Sequence, residues 1–389
     1  MNNRWYRQLR GARHMNKKIQ KISLTLICSS ALLAGCGNLQ NAKTESSSNT
    51  STNNATITTG RVNSNVYQAL MENGKYQTSA ARGMSASRLN SNYNLANFQK
   101  GLLNVSQDSF SVNNYYYREG QLITAETLKK WLGRKSSENP EGLNPQISSQ
   151  TEEQEKANPI IFQQVEEADF INKDTQKLEG ITLGIALNKV YYTTESATTI
   201  DEATMIEKGK EAANQLLEKV RDLKGAESIP ITIALFEQAP EDDIAGGHYF
   251  AQATSKNGAT KVSKWADINE SYVSLPVINN DSNLATKDGL NSKFNSFKND
   301  IQGFFPNLSG VTGVAYYKDN ELNKLTVTIQ TKYYSKTEIT SFTQYVGKKA
   351  ESTFTEKTDL EIQISSQEGP QAYLSKSSDA QSISAHIFN

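Results

Sequence analysis

The feature that most constrains the fold is a pattern of strand, helix and strand that occurs twice in the second half of the chain. In the first copy, alternating apolar residues predict a half-buried strand, and an apolar stripe at helical spacing over 206–223 predicts a helix. Thr199 with Glu202 fits a capping box at the start of this helix, and Gly225 fits its end. The alternating positions of the two strands are Ile181, Leu183, Ile185 and Leu187, then Ile231, Ile233 and Leu235.

The second copy has the same order of elements. Residues 325–329 alternate as a strand, Ser335 with Glu338 fits a capping box, and apolar residues over 339–354 predict the helix. Its second strand has the apolar positions Leu360, Ile362 and Ile364. Differences in length between the copies fall in loops or near helix ends, as expected of a duplicated unit. The alternative is a chance resemblance between two strand-helix-strand units.

These patterns predict an α+β fold with two tandem repeats, each a small sheet with a strand-helix-strand unit, over 166–285 and 286–389. The alternation predicts one buried and one polar face for each sheet, which fits α+β packing better than a doubly wound sheet. If the two strands around each helix are parallel, their crossover is expected to be right-handed. Residues 383–388 are predicted to form the last strand.

The segment before the repeats, residues 61–165, gives mixed signals. Apolar residues at helical spacing predict a helix around 95–103, and residues 115–123 fit a strand, a turn and a second strand. Thr124 is expected to cap a short helix that Gly133 ends. Residues 134–159 are polar, contain three prolines and are predicted to be a long exposed connection.

The stretch Leu33-Ala34-Gly35-Cys36 ends an apolar run and precedes a long polar tract. A Leu three residues before a Cys, with two small residues between them, matches the pattern of a bacterial lipobox. At such a site a diacylglyceryl group is attached to the Cys thiol, and a peptidase then cuts so that Cys36 becomes the first residue. The alternative is an ordinary secretory signal that happens to be followed by a Cys.

Residues 1–35 are accordingly predicted to be a lipoprotein signal peptide. They contain four Arg, three Lys and no acidic residue, and their apolar core, residues 22–33, is 12 residues long. A helix of that length spans about 18 Å, which is too short for a hydrocarbon core of about 30 Å. Met15 is an alternative to Met1 as the start of translation, because the three lysines suffice as the positive region.

Residues 36–60 are predicted to be the lipidated Cys and a disordered tether. Of the 24 residues from Gly37 to Gly60, 15 are Ser, Thr or Asn, so the tract cannot bury enough apolar surface to become ordered. A flexible coil of this length has a root-mean-square span of about 27 Å. The tract is therefore expected to hold the folded part away from the membrane.

The composition of the chain without residues 1–35 excludes several functions. It retains 34 basic against 41 acidic residues, a net charge of −7, which argues against a nucleic-acid partner and against a polybasic attachment to anionic lipid. The two acyl chains on Cys36 are expected to provide the attachment. Cys28 leaves with the signal peptide, so no cysteine remains for a disulfide, a thiolate nucleophile or a metal site.

Five short stretches follow one another along the chain: Ala81-Arg82-Gly83, Arg118-Glu119-Gly120-Gln121, Gly142-Leu143-Asn144-Pro145, Gly180-Ile181-Thr182-Leu183-Gly184-Ile185-Ala186-Leu187-Asn188 and Val190-Tyr191-Tyr192. In this order they resemble the CamS family of sex-pheromone-precursor lipoproteins of Gram-positive bacteria. The resemblance implies two tandem CamS repeats, at 166–285 and 286–389. It also implies that a short fragment beside the lipobox Cys is released as a mating signal sensed by plasmid-bearing enterococci. The matching segment here is Ser29-Ser30-Ala31-Leu32-Leu33-Ala34-Gly35.

An enzyme, metal or cofactor protein would need residues that the sequence scarcely offers. After the signal peptide the histidines are His248 and His386, and there is no Gly-x-Ser-x-Gly elbow or phosphate-binding loop. Glu241-Asp242-Asp243 lacks the ligand spacing of a calcium loop and is predicted to be a solvated turn. Asn257-Gly258-Ala259-Thr260 differs at its first position from the Ser/Thr-Gly-Ala-Thr motif of flavin-carrying lipoproteins. No metal and no cofactor are expected.

The first hypothesis is a non-enzymatic lipoprotein on the outside of a Gram-positive cell membrane. It is held by acylated Cys36, with the lipoprotein-processing enzymes as partners, and we expect a monomer. The alternative is an extracellular module that binds a ligand or polymer in a groove between the repeats. The tyrosine pairs Tyr191-Tyr192 and Tyr333-Tyr334 are candidates to line that groove, although tyrosines at strand ends more often pack half-buried. A flavin carrier, or a hydrolase using carboxylates that the sequence does not single out, is a further alternative.

Overall fold

The computed structural model describes residues 57–60, 64–278, 283–304, 310–332 and 335–388, which belong to one unit, Ala55–Asn389. Cys36 with its lipobox, the segment Ser29–Gly35 and Tyr333-Tyr334 lie outside the described residues. The helices are α1 Met84–Arg88, α2 Asn92–Ser106, α3 Ala125–Trp131, α4 Glu152–Ala157, α5 Glu202–Arg221, α6 Leu284–Lys287, α7 Leu290–Gly303 and α8 Lys336–Thr353. None of these helices, within the described ranges, has the length and apolar character needed to cross a membrane.

The strands form two sheets of six, one sheet of three and one hairpin. In chain order they are β1 Ile57–Thr58, β2 Leu70–Glu72, β3 Lys75–Tyr76, β4 Tyr115–Glu119, β5 Phe162–Asn172, β6 Leu178–Asn188, β7 Val190–Tyr192, β8 Ala197–Thr199, β9 Ile231–Gln238, β10 His248–Ser255, β11 Ala266–Asp267, β12 Glu270–Leu275, β13 Gly310–Lys318, β14 Glu321–Gln330, β15 Asp359–Ser366, β16 Gly369–Lys376 and β17 Ser384–Ile387. Together with the helices they make the α+β fold that the sequence predicted.

The first six-stranded sheet has the order β11-β10-β9-β6-β5-β4. Strands β6 and β9 are parallel and are joined through α5, whereas the other neighbours are antiparallel. Ala213, Leu216 and Val220 of α5 are fully or almost fully buried in one core with the alternating apolar residues of β6 and β9. The strand-helix-strand unit predicted for the first copy is therefore present.

The opposite face of this sheet is also buried, so the prediction of one polar face is wrong for the first copy. Helix α2 lies across that face, where Phe98 and Leu102 share a core with Phe236 and Tyr249. The ring centroid of Phe98 is 5.2 Å from that of Phe236. Strand β6 carries small residues here, and a Cβ on Gly184 would lie 2.6 Å from the hydroxyl oxygen of Tyr249. These small residues make room for the aromatic side chains and do not form a polar surface.

The second six-stranded sheet has the order β12-β13-β14-β15-β16-β17, in which β14 and β15 are parallel and joined through α8. The succession β13-β14-α8-β15-β16 thus has the same connections as β5-β6-α5-β9-β10. Helices α7 and α8 bury Phe297 and Phe342 against Val327 and Ile362. Intervening positions of β14, such as Thr328, are exposed, so one buried and one polar face is confirmed here. That the two sheets are duplicated CamS repeats stays a prediction.

The N-terminal part of the unit packs against the first sheet. Strands β1, β2 and β3 form the small sheet, and Ala69 pairs with Tyr117 of β4. Ile57–Thr58 therefore belongs to a strand, although the sequence placed it in the tether. Residues 134–159 are largely exposed or half-buried, as predicted for a connection, but they include α4 and the buried Asn144, which is 2% exposed. The Asn144 amide bonds to backbone groups of Leu132, Ile161 and Phe162, three buried residues at the end of α3 and around the start of β5.

The helix starts follow the predicted capping residues in two of three cases. The side chains of Thr124 and Ser335 accept hydrogen bonds from backbone N–H groups in the first turns of α3 and α8. Helix α5 is instead capped by Asp201, so the capping box of Thr199 with Glu202 is wrong. Thr199 belongs to β8, and a carboxylate nearer the helix is an equally good cap.

Candidate functional site

A cavity of about 310 Å³ lies at one edge of β5. Strand β4 pairs only with Ala168–Asn172, so residues 162–167 of β5 have β6 on one side and no strand of the described chain on the other. The segment that leads from β3 into α1 covers this edge, and side chains from α2 and α3 complete the walls. The cavity exists because β4 is shorter than β5.

The outer wall of the cavity is held by the end of β4. The carboxylate of Glu119 accepts a hydrogen bond from the Tyr76 hydroxyl at 2.8 Å and another from the backbone N–H of Ser79. The backbone N–H of Ala80 donates to the carbonyl oxygen of Gly120 at 2.9 Å. Glu119 is therefore occupied in positioning residues 76–80.

Three polar side chains form a directed chain of hydrogen bonds inside the cavity. The amide Nε2 of Gln164 donates to Ser85 Oγ at 3.0 Å, and the Ser85 hydroxyl donates to Glu166 Oε2 at 2.8 Å. Gln99 Nε2 lies 3.3 Å from Glu166 Oε1. Because the single proton of Ser85 goes to Glu166, Ser85 can only accept from Gln164. The amide nitrogen of Gln164 therefore points to Ser85, and its carbonyl oxygen does not bond to Ser85.

One buried acceptor among the residues that line the cavity has no hydrogen-bond partner in the described part of the chain. This acceptor is Oε1 of Gln164, a residue that is 1% exposed. Burial raises the pKa of the Glu166 carboxyl above its usual range, although hydrogen bonds from Ser85 and Gln99 oppose the shift and the charge of Glu119 adds to it.

A second carboxylate, Glu167, has a structural role at the same edge. Its oxygens accept hydrogen bonds from the backbone N–H groups of Leu122 at 3.1 Å and Ile123 at 2.8 Å, where a second strand was predicted. Asp169 is fully buried and forms an ion pair with Arg118 at 2.6 Å. Burial, followed by the charge of Asp169, raises the pKa of Glu167. Glu167 therefore retains its proton above the usual range for a carboxyl.

The tyrosines predicted from the sequence lie away from this cavity. The Tyr191 hydroxyl donates to Glu155 Oε2 at 3.1 Å, which ties β7 to α4. Tyr192 lines a separate, polar cavity with residues of α4 and of the turn after β7. Tyr333-Tyr334 lies outside the described residues, so a groove lined by both pairs stays a prediction.

The other residues considered in the sequence are also dispersed. His248 lies on β10 of the first sheet, where burial lowers its pKa, and His386 lies on β17 of the second sheet. Asn257 and Gly258 have φ angles of 55° and 74° and form the turn after β10, and the Ala259 carbonyl accepts from Arg221 Nε at 3.1 Å. Within the described ranges, no group of three or more His, Cys, Asp or Glu is arranged to hold a metal ion.

Two of the stretches that carry the family resemblance line the cavity. Ala81-Arg82-Gly83 leads into α1, with Gly83 at a φ of 84°, and Glu119 belongs to the stretch that ends β4. Sequence reasoning did not assign these stretches to a site, and it did not consider Gln164 or Glu166. The available signal was a run of polar residues, 163–167, that only one Val interrupts, beside the buried strand pattern. Buried polar residues are unusual unless they have partners or a function.

The fold and the cavity define a class of α+β protein with two linked sheets and a polar, acceptor-lined site beside the first. The sequence model of the family described as CamS sex pheromone cAM373 precursor matches residues 76–382. The chain therefore belongs to the CamS sex pheromone precursor family. This is a family of pheromone precursors and not a known enzyme family, and membership indicates a secreted or surface protein.

Two solved structures of this family resemble the chain. The crystal structure of a sex pheromone precursor from Lactobacillus salivarius subsp. salivarius UCC118 is 38% identical, with a TM-score of 0.80, and the match covers 86% of this chain and 99% of that one. The C-terminal domain of the sex pheromone staph-cAM373 precursor from Staphylococcus aureus is 29% identical, with a TM-score of 0.64, covering 77% of this chain and 98% of that one. A comparison with curated proteins gives no match.

Proposed function

We propose that the chain is a surface lipoprotein of the CamS type, anchored to the outer side of a Gram-positive cell membrane by a diacylglyceryl group on Cys36. The observation that carries the proposal is the order of segments. A lipobox over 33–36 is followed by a polar tract and then by a folded unit that begins at Ala55. Membership in a family of pheromone precursors supports this order of processing. Without residues 1–35 the chain has a net charge of −7, which does not favour binding to anionic lipid. Attachment to the membrane therefore depends on the acyl chains.

Metabolic labelling with radioactive palmitate in a Gram-positive host tests the anchor. We expect label in the wild-type protein and in Cys28→Ala, because Cys28 lies in the signal peptide and serves as the matched control. We expect no label in Cys36→Ala, which should remain uncleaved or leave the membrane. A labelled Cys36→Ala protein, or a wild-type protein that enters the aqueous phase of a detergent partition, would contradict the proposal.

The signal peptide is proposed to supply the pheromone, and the folded unit to act without catalysis. The released fragment is the segment Ser29–Gly35 beside the lipobox Cys. Mass spectrometry of culture medium should detect this heptapeptide from cells that make the wild-type protein and not from cells that make Cys36→Ala. Medium without the peptide, from cells whose protein is lipidated, would contradict the release while leaving the anchor in place.

A second candidate function is the binding of a small solute outside the cell, and the cavity at β5 favours it. The Gln164 amide nitrogen and the Glu166 carboxylate both contact the Ser85 hydroxyl in the lining of that cavity. A cavity of about 310 Å³ lined by polar side chains is consistent with a bound solute.

A further inference from the structure

We propose that an open cavity of about 500 Å³ beside β10 binds a small solute through a phosphate group, which is held by the ammonium groups of Lys256 and Lys264 and by the hydroxyl of Ser109. This β10 cavity lies between the turn after α2, strand β10 and the segment that leads into β11. It shares no lining residue with the cavity at β5, so the inference is independent of the lipid anchor and of solute binding at β5.

The first observation is the charge of the segment that follows β10. Residues 256–264 contain three lysines and no acidic residue, in a chain that carries a net charge of −7 without residues 1–35. Two of these lysines, Lys256 and Lys264, line the β10 cavity. Both are exposed, and neither forms an ion pair in the described part of the chain. Because both side chains border one cavity, their charges favour a bound anion.

The β10 cavity also contains one carboxylate, that of Asp108, which opposes a bound anion. Its Oδ2 accepts a hydrogen bond from Gln252 Nε2 at 2.8 Å, so the carboxylate is tied to β10. With two ammonium groups against one carboxylate, the lining keeps one positive charge in excess. Removal of the Asp108 charge is therefore expected to strengthen the binding of an anion.

A cluster of three hydroxyl groups supplies a hydrogen-bond donor. The fully buried Thr232 donates from Oγ1 to Ser109 Oγ at 2.9 Å and lies 3.1 Å from Thr254 Oγ1. Because each hydroxyl has one proton, Thr254 donates to Thr232. Ser109 keeps its own proton, since Thr254 Oγ1 is 3.4 Å away and ordinary hydroxyl hydrogen bonds span about 2.5–3.0 Å. Ser109 is exposed and lines the cavity, so this proton is available to a ligand.

The arrangement of these donors favours phosphate over carboxylate. Ser109, Lys256 and Lys264 come from three different segments around the cavity, after α2, at the end of β10 and before β11. A phosphate group presents several acceptor oxygens in different directions, whereas a carboxylate presents two in one plane. The half-buried Tyr115 and Pro230 form part of the remaining wall and can contact the apolar part of a solute. The volume lies within the usual range for small-molecule sites.

Three probes with the same carbon skeleton test the proposal: glycerol 3-phosphate, glycerate and glycerol. Binding is measured by ligand-observed NMR titration of the mature lipoprotein in micelles of an uncharged detergent, at neutral pH and low salt. We expect glycerol 3-phosphate to bind at least about tenfold more tightly than glycerol, and more tightly than glycerate.

Variants of the lining connect this binding to the β10 cavity. Lys256→Gln and Lys264→Gln should each weaken the binding of glycerol 3-phosphate by about threefold, and the double variant by about tenfold, because single exposed charges contribute modestly. Ser109→Ala should weaken it as well. Asp108→Asn, which keeps an acceptor for Gln252, should strengthen it by about threefold.

The control variant is Lys357→Gln, because Lys357 is exposed and lies outside the lining of the β10 cavity. It should bind glycerol 3-phosphate as the wild-type protein does, and all variants should melt as cooperatively as the wild type. Equal binding of glycerate would overturn the choice of phosphate, and equal binding of glycerol, or no binding, would overturn the anion site. Unchanged binding in the double lysine variant, or no gain in Asp108→Asn, would overturn its location.

A phosphate group could belong to a free solute or to the headgroup of a lipid. Glycerophosphoglycerol, the water-soluble headgroup of phosphatidylglycerol, is the probe for the second source. We expect it to bind more weakly than glycerol 3-phosphate, because a phosphate diester carries less negative charge than a monoester at neutral pH. Tighter binding of the diester would overturn the assignment to a free phosphorylated solute in favour of a lipid headgroup.

Discussion

Substitution of Asn144 by Leu should destabilise the fold more than any exposed polar substitution, because one side chain satisfies four backbone groups. Its Nδ2 donates to the carbonyl oxygens of Leu132 at 3.0 Å and Phe162 at 2.7 Å. Its Oδ1 accepts from the N–H groups of Ile161 at 3.2 Å and Phe162 at 3.0 Å. These contacts join the end of α3 to the start of β5.

The expected magnitude follows from the groups that lose their partners. Asn144 is 2% exposed, so water does not readily replace the amide. Each buried backbone group left unpaired costs about 1–3 kcal/mol. The loop can shift and let some groups reach water, and Leu adds a little apolar burial, so we expect Asn144→Leu to lower the free energy of unfolding by about 3–5 kcal/mol.

Urea unfolding followed by far-ultraviolet circular dichroism measures the change. Asn113→Leu is the control, because Asn113 is exposed, and its free energy of unfolding should stay within about 0.5 kcal/mol of the wild type. A loss below about 1 kcal/mol for Asn144→Leu would refute the reasoning, since it would mean that the four backbone groups find other partners at little cost.

Two further predictions concern the first sheet. The pKa of Glu167 is raised in the folded state. Between the usual and the raised pKa, the folded protein therefore binds more protons than the unfolded chain. The free energy of unfolding should fall as pH rises through that interval. Glu167→Gln imitates the protonated carboxyl and should flatten this decline in pH-dependent urea unfolding, with Glu138→Gln, at an exposed position, as the control; an unchanged slope would contradict the assignment. Gly180→Ala should cost about 1–3 kcal/mol, because its Cβ would lie 2.0 Å from a ring carbon of the buried Phe110. Gly303→Ala, with open space around it, should be neutral or slightly stabilising in thermal melts, and equal effects of the two would count against close packing at Gly180.

The polar cavity illustrates why sequence reasoning found the family motifs but not the site. Glu119 belongs to a family motif, but its structural role depends on where β4 ends, because β4 pairs with β5 only over residues 168–172. Gln164 and Glu166 are separated from Ser85 by about 80 positions in the chain. A contact of that sequence separation leaves no periodic or spacing signal, because it depends on how the N-terminal segment packs against a sheet edge.

The chain by itself determined the strand-helix-strand order of both copies, the alternation of β14 and β15, and two of the three helix caps that were predicted. These depend on local periodicity and on side chains within one helical turn. Only the tertiary structure decided that the first sheet is buried on both faces. The small residues around Gly184 on β6 are compatible with a face exposed to solvent. In the structure they instead leave room for the aromatic side chains of α2 and β10. A small residue is compatible both with exposure to solvent and with close packing against another segment. Which of the two occurs depends on how segments distant in sequence pack together.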